Sequence, residues 1–400
     1  MRFVFLTLGF HPDLDGGGYR YATEIAERLA ARRHEVHVVF PNPRNQLAAQ
    51  ETRRRVQLHR VPDGTGAFFA NWQKENAAAR ETLARLLAPG TARTLVATHQ
   101  AYFERAARGW PTVFMYQGAW ALEYRFSQQA RSRGHLRRLL DPWIARQLHR
   151  TEAHALAAAP QIFVASEYTR QRLPIWHPGV HSPVTVVSGG ANFSQFQPPA
   201  DRAETRRRWG LAPATFLFLT VRRLDPRMGL PGLLEAFAHA AANHPTAHLW
   251  MAGRGPQHDA LQTDIHRLGL DGRVRLLGFV PEEDLPGLYG AADCTLMPSL
   301  DLEGFGLTTV ESLACGTPVL ASDAGANPEL VGPLEPALVY PAADPLALEE
   351  RLGKILGGGL RLPSGERCAS YAREAFPWER PVEAFERAWD THGIGGAVNP

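Results

Sequence analysis

Cysteine, lysine and long apolar runs are what this 400-residue chain has least of. Its three cysteines, Cys294, Cys315 and Cys368, are too few and too scattered for a disulfide framework or a zinc site, and they read as structural thiols in a reduced compartment. The cytoplasm is the expected location. No apolar run approaches the roughly 20 residues that a membrane span needs. The opening RFVFLTLGF meets His11, Pro12 and Asp13 without a small-residue cleavage site, so it reads as a strand rather than a signal peptide. Only Lys74 and Lys354 break an otherwise all-arginine basic set. A dinucleotide fingerprint is also missing, because Gly16-Gly17-Gly18 does not supply Gly-x-Gly-x-x-Gly spacing. No nucleic-acid-binding motif is present, so nucleic acid is not an expected partner.

What is present supports more than one core: 44% of the residues are hydrophobic, and the length favours two domains. The net charge of +3 conceals an asymmetry. Residues 1–190 hold 25 Lys+Arg against 14 Asp+Glu, and the remainder holds 18 against 26. A basic first half fits either an anionic partner or an arginine-biased solvated surface.

The most informative stretch is DLEGFGLTTVESLACGTPVLAS, from Asp301 to Ser322. Gly304 and Gly306 allow close backbone approach. The run Leu307 to Cys315 has helical composition, closed by Gly316 and Pro318. A helix starting near Gly306 would direct its free N–H groups and positive dipole end at a ligand, and a diphosphate suits that place. Glu303 and Glu311 bracket the turn about 12 Å apart at helical rise, about the span from a sugar ring across a diphosphate to a ribose. The pattern suggests a nucleotide-sugar cradle.

Alternating strand and helix signals run through both halves. Strands are expected at 2–9, 36–40, 94–98, 112–116 and 161–166, with VTVVSGGANFSQFQP (184–198) closing the first half, then at 215–221, 247–253, 273–280 and 293–299. A helix from about Tyr19 to Arg32 follows the triple-glycine loop. Helices are also expected at Ala203–Trp209 and Val382–Trp389. The fold class is α/β, with two Rossmann-like doubly wound domains. Asp13-Leu14-Asp15 has the form of a metal-binding Asp-x-Asp, but turn residues are the simpler reading. The stretch from Tyr124 to Arg150 carries Arg125, Arg131, Arg133, Arg137, Arg138, Arg146 and Arg150 among leucines and Trp143. It reads either as a surface that lies on anionic bilayers or as one long packed helix with a wet face.

The EGFGL turn, the following Glu311 and Gly-Thr-Pro-Val at their fixed offsets resemble the Glu-x7-Glu motif of retaining glycosyltransferases of family 4, which have the two-domain GT-B fold. The resemblance implies that the two domains face across a cleft. It implies a first, acceptor-side domain over 1–196, with 376–400 crossing back onto it, and a donor-binding domain over 197–375. It further implies sugar transfer from a UDP-, GDP- or ADP-sugar with retained configuration, and neither metal nor cofactor.

Residue by residue, Glu303 is expected on the sugar, Glu311 on the ribose, and the N–H groups of Gly306, Leu307 and Thr308 on the phosphates, with Gly304 and Phe305 also donor-binding. Arg223 matches the family's arginine at the diphosphate. Met228 stands where a lysine is usual, so Arg227 is the expected substitute. Gly253, Arg254 and Gly255 resemble the Gly-x-Gly turn near the nucleotide, and Phe279 and Val280 the stretch that meets the base. In the first domain, Gly17 and Gly18 resemble the turn facing the donor. Gln117 takes the place of a histidine beside the sugar, and His99 and Trp120 are the expected acceptor-side residues. Asn192 stands where an Asp is usual. Two substituted contacts, Gln117 and Met228, leave a nucleotide-sugar-binding pseudoenzyme as one alternative, and another GT-B activity, nucleotide-sugar epimerisation, is a second. A pyridoxal phosphate phosphorylase is a weak alternative, since its Schiff base needs a lysine and neither Lys74 nor Lys354 sits in a cleft-forming motif.

Overall fold

The computed structural model describes residues 1–13, 16–63, 68–129 and 135–394. Asp15, Arg131 and Arg133 lie outside these residues, as do the side chains of Arg137 and Arg138. The chain divides into two compact units. One comprises Met1–Ala121, Trp143–Gly189 and the segment from Trp378 onward, the other Leu122–Pro142 and Gly190–Pro377. This division differs from 1–196 plus 376–400 for a packing reason. Phe196 sets its ring 6.2 Å from that of Tyr289, and Phe376 lies 5.9 Å from Phe305, so both phenylalanines belong to the second core.

The first unit is an eight-stranded sheet in the order β3-β4-β2-β1-β5-β6-β7-β8. Its strands are β1 (Arg2–Leu6), β2 (Glu35–Pro41), β3 (Gln50–Arg53), β4 (Val56–Val61), β5 (Thr94–Thr98), β6 (Thr112–Tyr116), β7 (Ile162–Val164) and β8 (Val184–Val186). All pairs are parallel except β3 with β4. That short antiparallel edge was not foreseen, since its residues alternate in polarity without a long apolar run. The inner strands are buried on both faces, which is why they read as continuous apolar runs.

One further expectation needs correction. The first helix spans Gly17–Ala31, so Gly17 and Gly18 belong to its first turn rather than to the loop. The described part of the Tyr124–Arg150 stretch lies in the helices Trp120–Gln129 and His135–Ala158, and residues 130–134 are outside the described residues.

The second unit is a six-stranded, wholly parallel sheet in the order β11-β10-β9-β12-β13-β14. It is built from β9 (Phe216–Val221), β10 (Ala247–Ala252), β11 (Val274–Gly278), β12 (Cys294–Met297), β13 (Val319–Ser322) and β14 (Val339–Tyr340). Strand order reverses between β9 and β12. In open parallel sheets, ligands bind outside the carboxyl ends of the strands at such a reversal. The segments at that point are 222–229 and 298–306.

Candidate active site

At the carboxyl end of β9, Arg222 continues the ladder: its N–H donates to the Ala252 carbonyl at 2.9 Å. Its side chain turns inward and is 5% exposed. Its Nη2 donates to Glu303 Oε2 at 2.6 Å, and Ser299 Oγ donates to the same oxygen at 2.9 Å. Burial pushes the Glu303 carboxyl up, but the Arg222 and Arg227 charges and the Ser299 hydrogen bond outweigh it and hold the group below the ordinary carboxylate value. Glu303 is therefore an ionised acid at neutral pH.

The loop that carries Glu303 is clamped at several points. Leu300 N–H donates to the Arg227 carbonyl at 2.8 Å, and Arg227 Nη1 donates to the Leu302 carbonyl at 3.2 Å. Leu302 adopts a φ of 55°, which the Asp301 carboxylate supports by accepting its N–H at 2.7 Å. From the other side, Ala326 N–H donates to the Glu303 carbonyl at 2.8 Å. The adjacent Gly325 has a φ of 63°, and a Cβ there would stand 2.3 Å from the same carbonyl. Gly325 is a site requirement that the sequence did not flag.

The helix Leu307–Ala314 begins at Gly306, which is left-handed with φ 99° and ψ 61°. Thr309 N–H bonds back to the Gly306 carbonyl at 3.0 Å, and Val310 N–H at 3.4 Å. The N–H groups of Leu307 and Thr308 precede these and point off the helix end, as the free donors of a helix start do. Glu311, one turn further in, is 3% exposed and accepts a hydrogen bond from Tyr289 Oη at 3.2 Å. The structure thus puts Glu303 at the mouth of the turn and Glu311 in its wall.

The arginines divide differently from the sequence expectation. Arg223 is 73% exposed on its side chain, and its one ion pair among the described residues is with Asp225, at 4.0 Å. Arg222, its neighbour, makes the buried contact with the acid and was missed. The available signal was its position immediately after the strand at the reversal point. Met228 is 5% exposed and packs inward. Arg254 lies over the Phe279 ring at 5.1 Å, and Phe279 is 46% exposed, so these two form an open platform at the end of β11. Val280 follows, half-buried.

In the first unit, a Cβ on Gly18 would stand 2.6 Å from Gln117 Oε1, whereas one on Gly17 would meet nothing within 4 Å. Gln117 Nε2 lies 3.4 Å from His99 Nδ1. His99 itself is 1% exposed, edge-on to Phe5 at 5.5 Å and stacked on Phe385 at 6.4 Å. It is a core residue rather than an acceptor contact, and burial pushes its pKa down to about 3. Trp120 opens its helix with its N–H donated to Glu152 Oε1 at 2.8 Å. Asp13 accepts from Arg53 at 2.9 Å and from Arg60 at 2.6 Å, so its carboxylate is committed to arginines. Among the described residues no cluster of acids, histidines and cysteines is arranged to hold a metal.

A separate groove of about 490 Å³ on the first unit is lined by Arg105, Arg108, Arg150, His154, Trp72 and Trp143, with Glu104 its only lining carboxylate. Arg105 lies 4.3 Å over the Trp72 ring. Trp143 is 52% exposed.

Two family models match in order. One described as Glycosyltransferase Family 4 covers residues 15–195, and one described as Glycosyl transferases group 1 covers 201–375. The chain is 34% identical over 217 residues to a D-inositol 3-phosphate glycosyltransferase of Corynebacterium jeikeium, covering 52% of this chain and 51% of that one. It is 30% identical over 226 residues to a GDP-mannose-dependent monoacylated alpha-(1-6)-phosphatidylinositol monomannoside mannosyltransferase of Corynebacterium glutamicum, covering 54% and 58%. The matches thus span about half the length of these relatives. Among solved structures, a sucrose-phosphate synthase from Thermosynechococcus elongatus superposes with a TM-score of 0.80 at 22% identity, over 98% of this chain and 99% of that one. That likeness establishes the two-unit GT-B fold.

Proposed function

Because the chain belongs to the glycosyltransferases of family 4, we propose that it moves a sugar from a nucleoside diphosphate donor to an acceptor hydroxyl, with retained anomeric configuration and without a metal ion. One observation carries this reading: an ionised carboxylate, Glu303, stands three residues before an open helix start at the reversal point of a parallel sheet. Glu303 accepts hydrogen bonds from sugar hydroxyls. The N–H groups of Leu307 and Thr308 take the phosphates, and Arg223 and Arg227 add positive charge as the diphosphate leaves. Glu311 holds the ribose, and the Arg254–Phe279 platform meets the base. The acceptor oxygen bonds to the anomeric carbon as the carbon–phosphate-oxygen bond breaks, and a donor phosphate oxygen takes the acceptor's proton.

For the acceptor, the groove lined by Arg105 and Arg150 and the basic first half support an anionic polyol, free or at a membrane surface. The names of the two relatives, with an inositol 3-phosphate and a phosphatidylinositol mannoside, point the same way. We place the enzyme in the cytoplasm or peripherally on the inner face of the membrane. Among the described residues no helix is long and apolar enough to cross a membrane.

A thermal-shift panel of UDP-, GDP- and ADP-sugars identifies the donor, since a bound ligand raises the melting temperature by mass action. Proton NMR of the product made in excess EDTA then reads both configuration and metal dependence. An inverted product or EDTA-abolished transfer rejects the mechanism. Donor binding without turnover across phosphorylated and lipid-linked polyols indicates the pseudoenzyme.

A further inference from the structure

We propose that Arg222 is a positioning residue that fixes which oxygen of Glu303 meets the donor. The inference rests on the reading of Glu303 as the sugar-binding acid.

Three observations meet at this residue. Its backbone is held on both sides, by the N–H bond to Ala252 and by Gly253, whose missing Cβ would otherwise stand 1.9 Å from the Arg222 carbonyl. Its guanidinium is nearly sealed from water, and Nη1 approaches only the Met297 sulfur, at 3.9 Å. Nε is buried and makes no hydrogen bond. The strong contact of the group is therefore the one to Glu303 Oε2.

Ser299 donates to that same oxygen. Two donors converge on Oε2, and Oε1 makes no hydrogen bond within the described residues. A carboxylate held this way has one rotational setting, with Oε1 presented to a ligand hydroxyl. Exposed Arg223 cannot act in this way, because its side chain does not approach Glu303. An opposite charge within about 4–6 Å lowers a carboxyl pKa by one to three units. Without Arg222, burial and the neighbouring Glu123 carboxyl would act on Glu303 against Arg227 and the Ser299 hydrogen bond alone, and raise it.

The test compares Arg222→Met and Arg222→Lys with wild type by two readouts. The first is the Glu303 carboxyl titration, followed by carbon-13 NMR and assigned with Glu303→Gln, which needs no turnover. The second is the pH profile of kcat/KM with the donor found above. Arg222→Met is expected to raise the Glu303 pKa by about one unit or more, and to move the acid limb of the profile upward by the same amount. It should lower kcat at least tenfold at neutral pH and leave nucleoside diphosphate affinity within about twofold. Arg222→Lys should restore the titration and part of kcat.

An unchanged titration in a folded Arg222→Met protein overturns the proposal. So does a loss of nucleoside diphosphate affinity as large as the loss of kcat, since Arg222 would then touch the diphosphate directly. If the titration shifts but wild-type protein transfers no sugar, the positioning stands and the reading of the function fails. Should Arg222→Met not fold, Ser299→Ala together with Arg222→Lys carries the same two readouts.

Discussion

The carbonyl oxygen of Arg222 lies 1.9 Å from where a Cβ on Gly253 would sit, and Gly253 has a φ of 137°. The glycine is demanded by the packing of the β10 end on the β9 end before any ligand arrives. Gly255 repeats the relationship two residues on, against the Leu224 carbonyl at 2.3 Å. Gly253→Ala should therefore lose at least about 3 kcal/mol of stability, through backbone overlap and a forbidden φ. Gly17→Ala, in a helix with nothing within 4 Å, should be neutral or stabilise by up to about 1 kcal/mol. Urea midpoints of the two variants check this, and equal losses would contradict it.

Glu303 and Glu311 should separate kinetically. Glu303→Gln is expected to lower turnover much more than nucleoside diphosphate affinity, because the proposed function puts it on the sugar and not on the leaving group. Glu311→Gln should do the reverse. Calorimetry with nucleoside diphosphate alone, set beside kcat, decides the matter, and equal affinity losses would refute the assignment.

Arg227 reaches the Leu302 carbonyl while Met228 packs inward, and the proposed function gives Arg227 the charge expected of a lysine. Arg227→Ala should cost about 2–3 kcal/mol of transition-state stabilisation, the scale of one lost electrostatic donor. Met228→Lys in that background is expected to recover part of the activity, although its buried position will lower the melting temperature. Near wild-type kcat/KM in Arg227→Ala would shift the role to Arg223 or Arg254.

Buried histidines should set the acid sensitivity of the fold. His99 titrates at about 3 and His177 at about 4, both pushed down by burial from 6.5. The unfolded chain binds their protons more readily, so each contributes a stability that is full above pH 6.5 and drains as pH falls toward the folded value. The slope is about 1.4 kcal/mol per pH unit per histidine. His99→Phe, which keeps the stacking on Phe385, should flatten the fall in urea midpoint between pH 6.5 and 4. A fall as steep as wild type would show that His99 does not report the linkage.

Arg105 and Arg150 flank the groove of the first unit. Replacing both with Ser should weaken co-sedimentation with vesicles containing an anionic phospholipid, and added salt should mimic the change. Donor binding should be unaffected. If wild-type protein fails to co-sediment at low ionic strength, the membrane placement falls and a soluble anionic acceptor remains.

Much of the architecture was legible in the residues themselves. β5 and β6 were read to the residue because strands of a covered parallel sheet are continuous apolar runs with abrupt polar ends. The helix after EGFGL was legible too, since Gly306 and Gly316 bound it at positions where only a left-handed backbone fits. Adjacent arginines carried no such distinction. Successive side chains leave an extended strand on opposite sides, so which of Arg222 and Arg223 turns toward an acid 81 residues away was decided by the pairing of β9 beside β12. The same holds for His99, whose sequence neighbourhood at a strand end looks open. The aromatic rings of Phe5, Tyr21 and Phe385, from three separate segments, close over it. Local pattern set the elements, because propensity and periodicity act over a few residues. The partners of buried charge came only from tertiary structure, because Coulomb and hydrogen-bond contacts depend on distance in space and not along the chain.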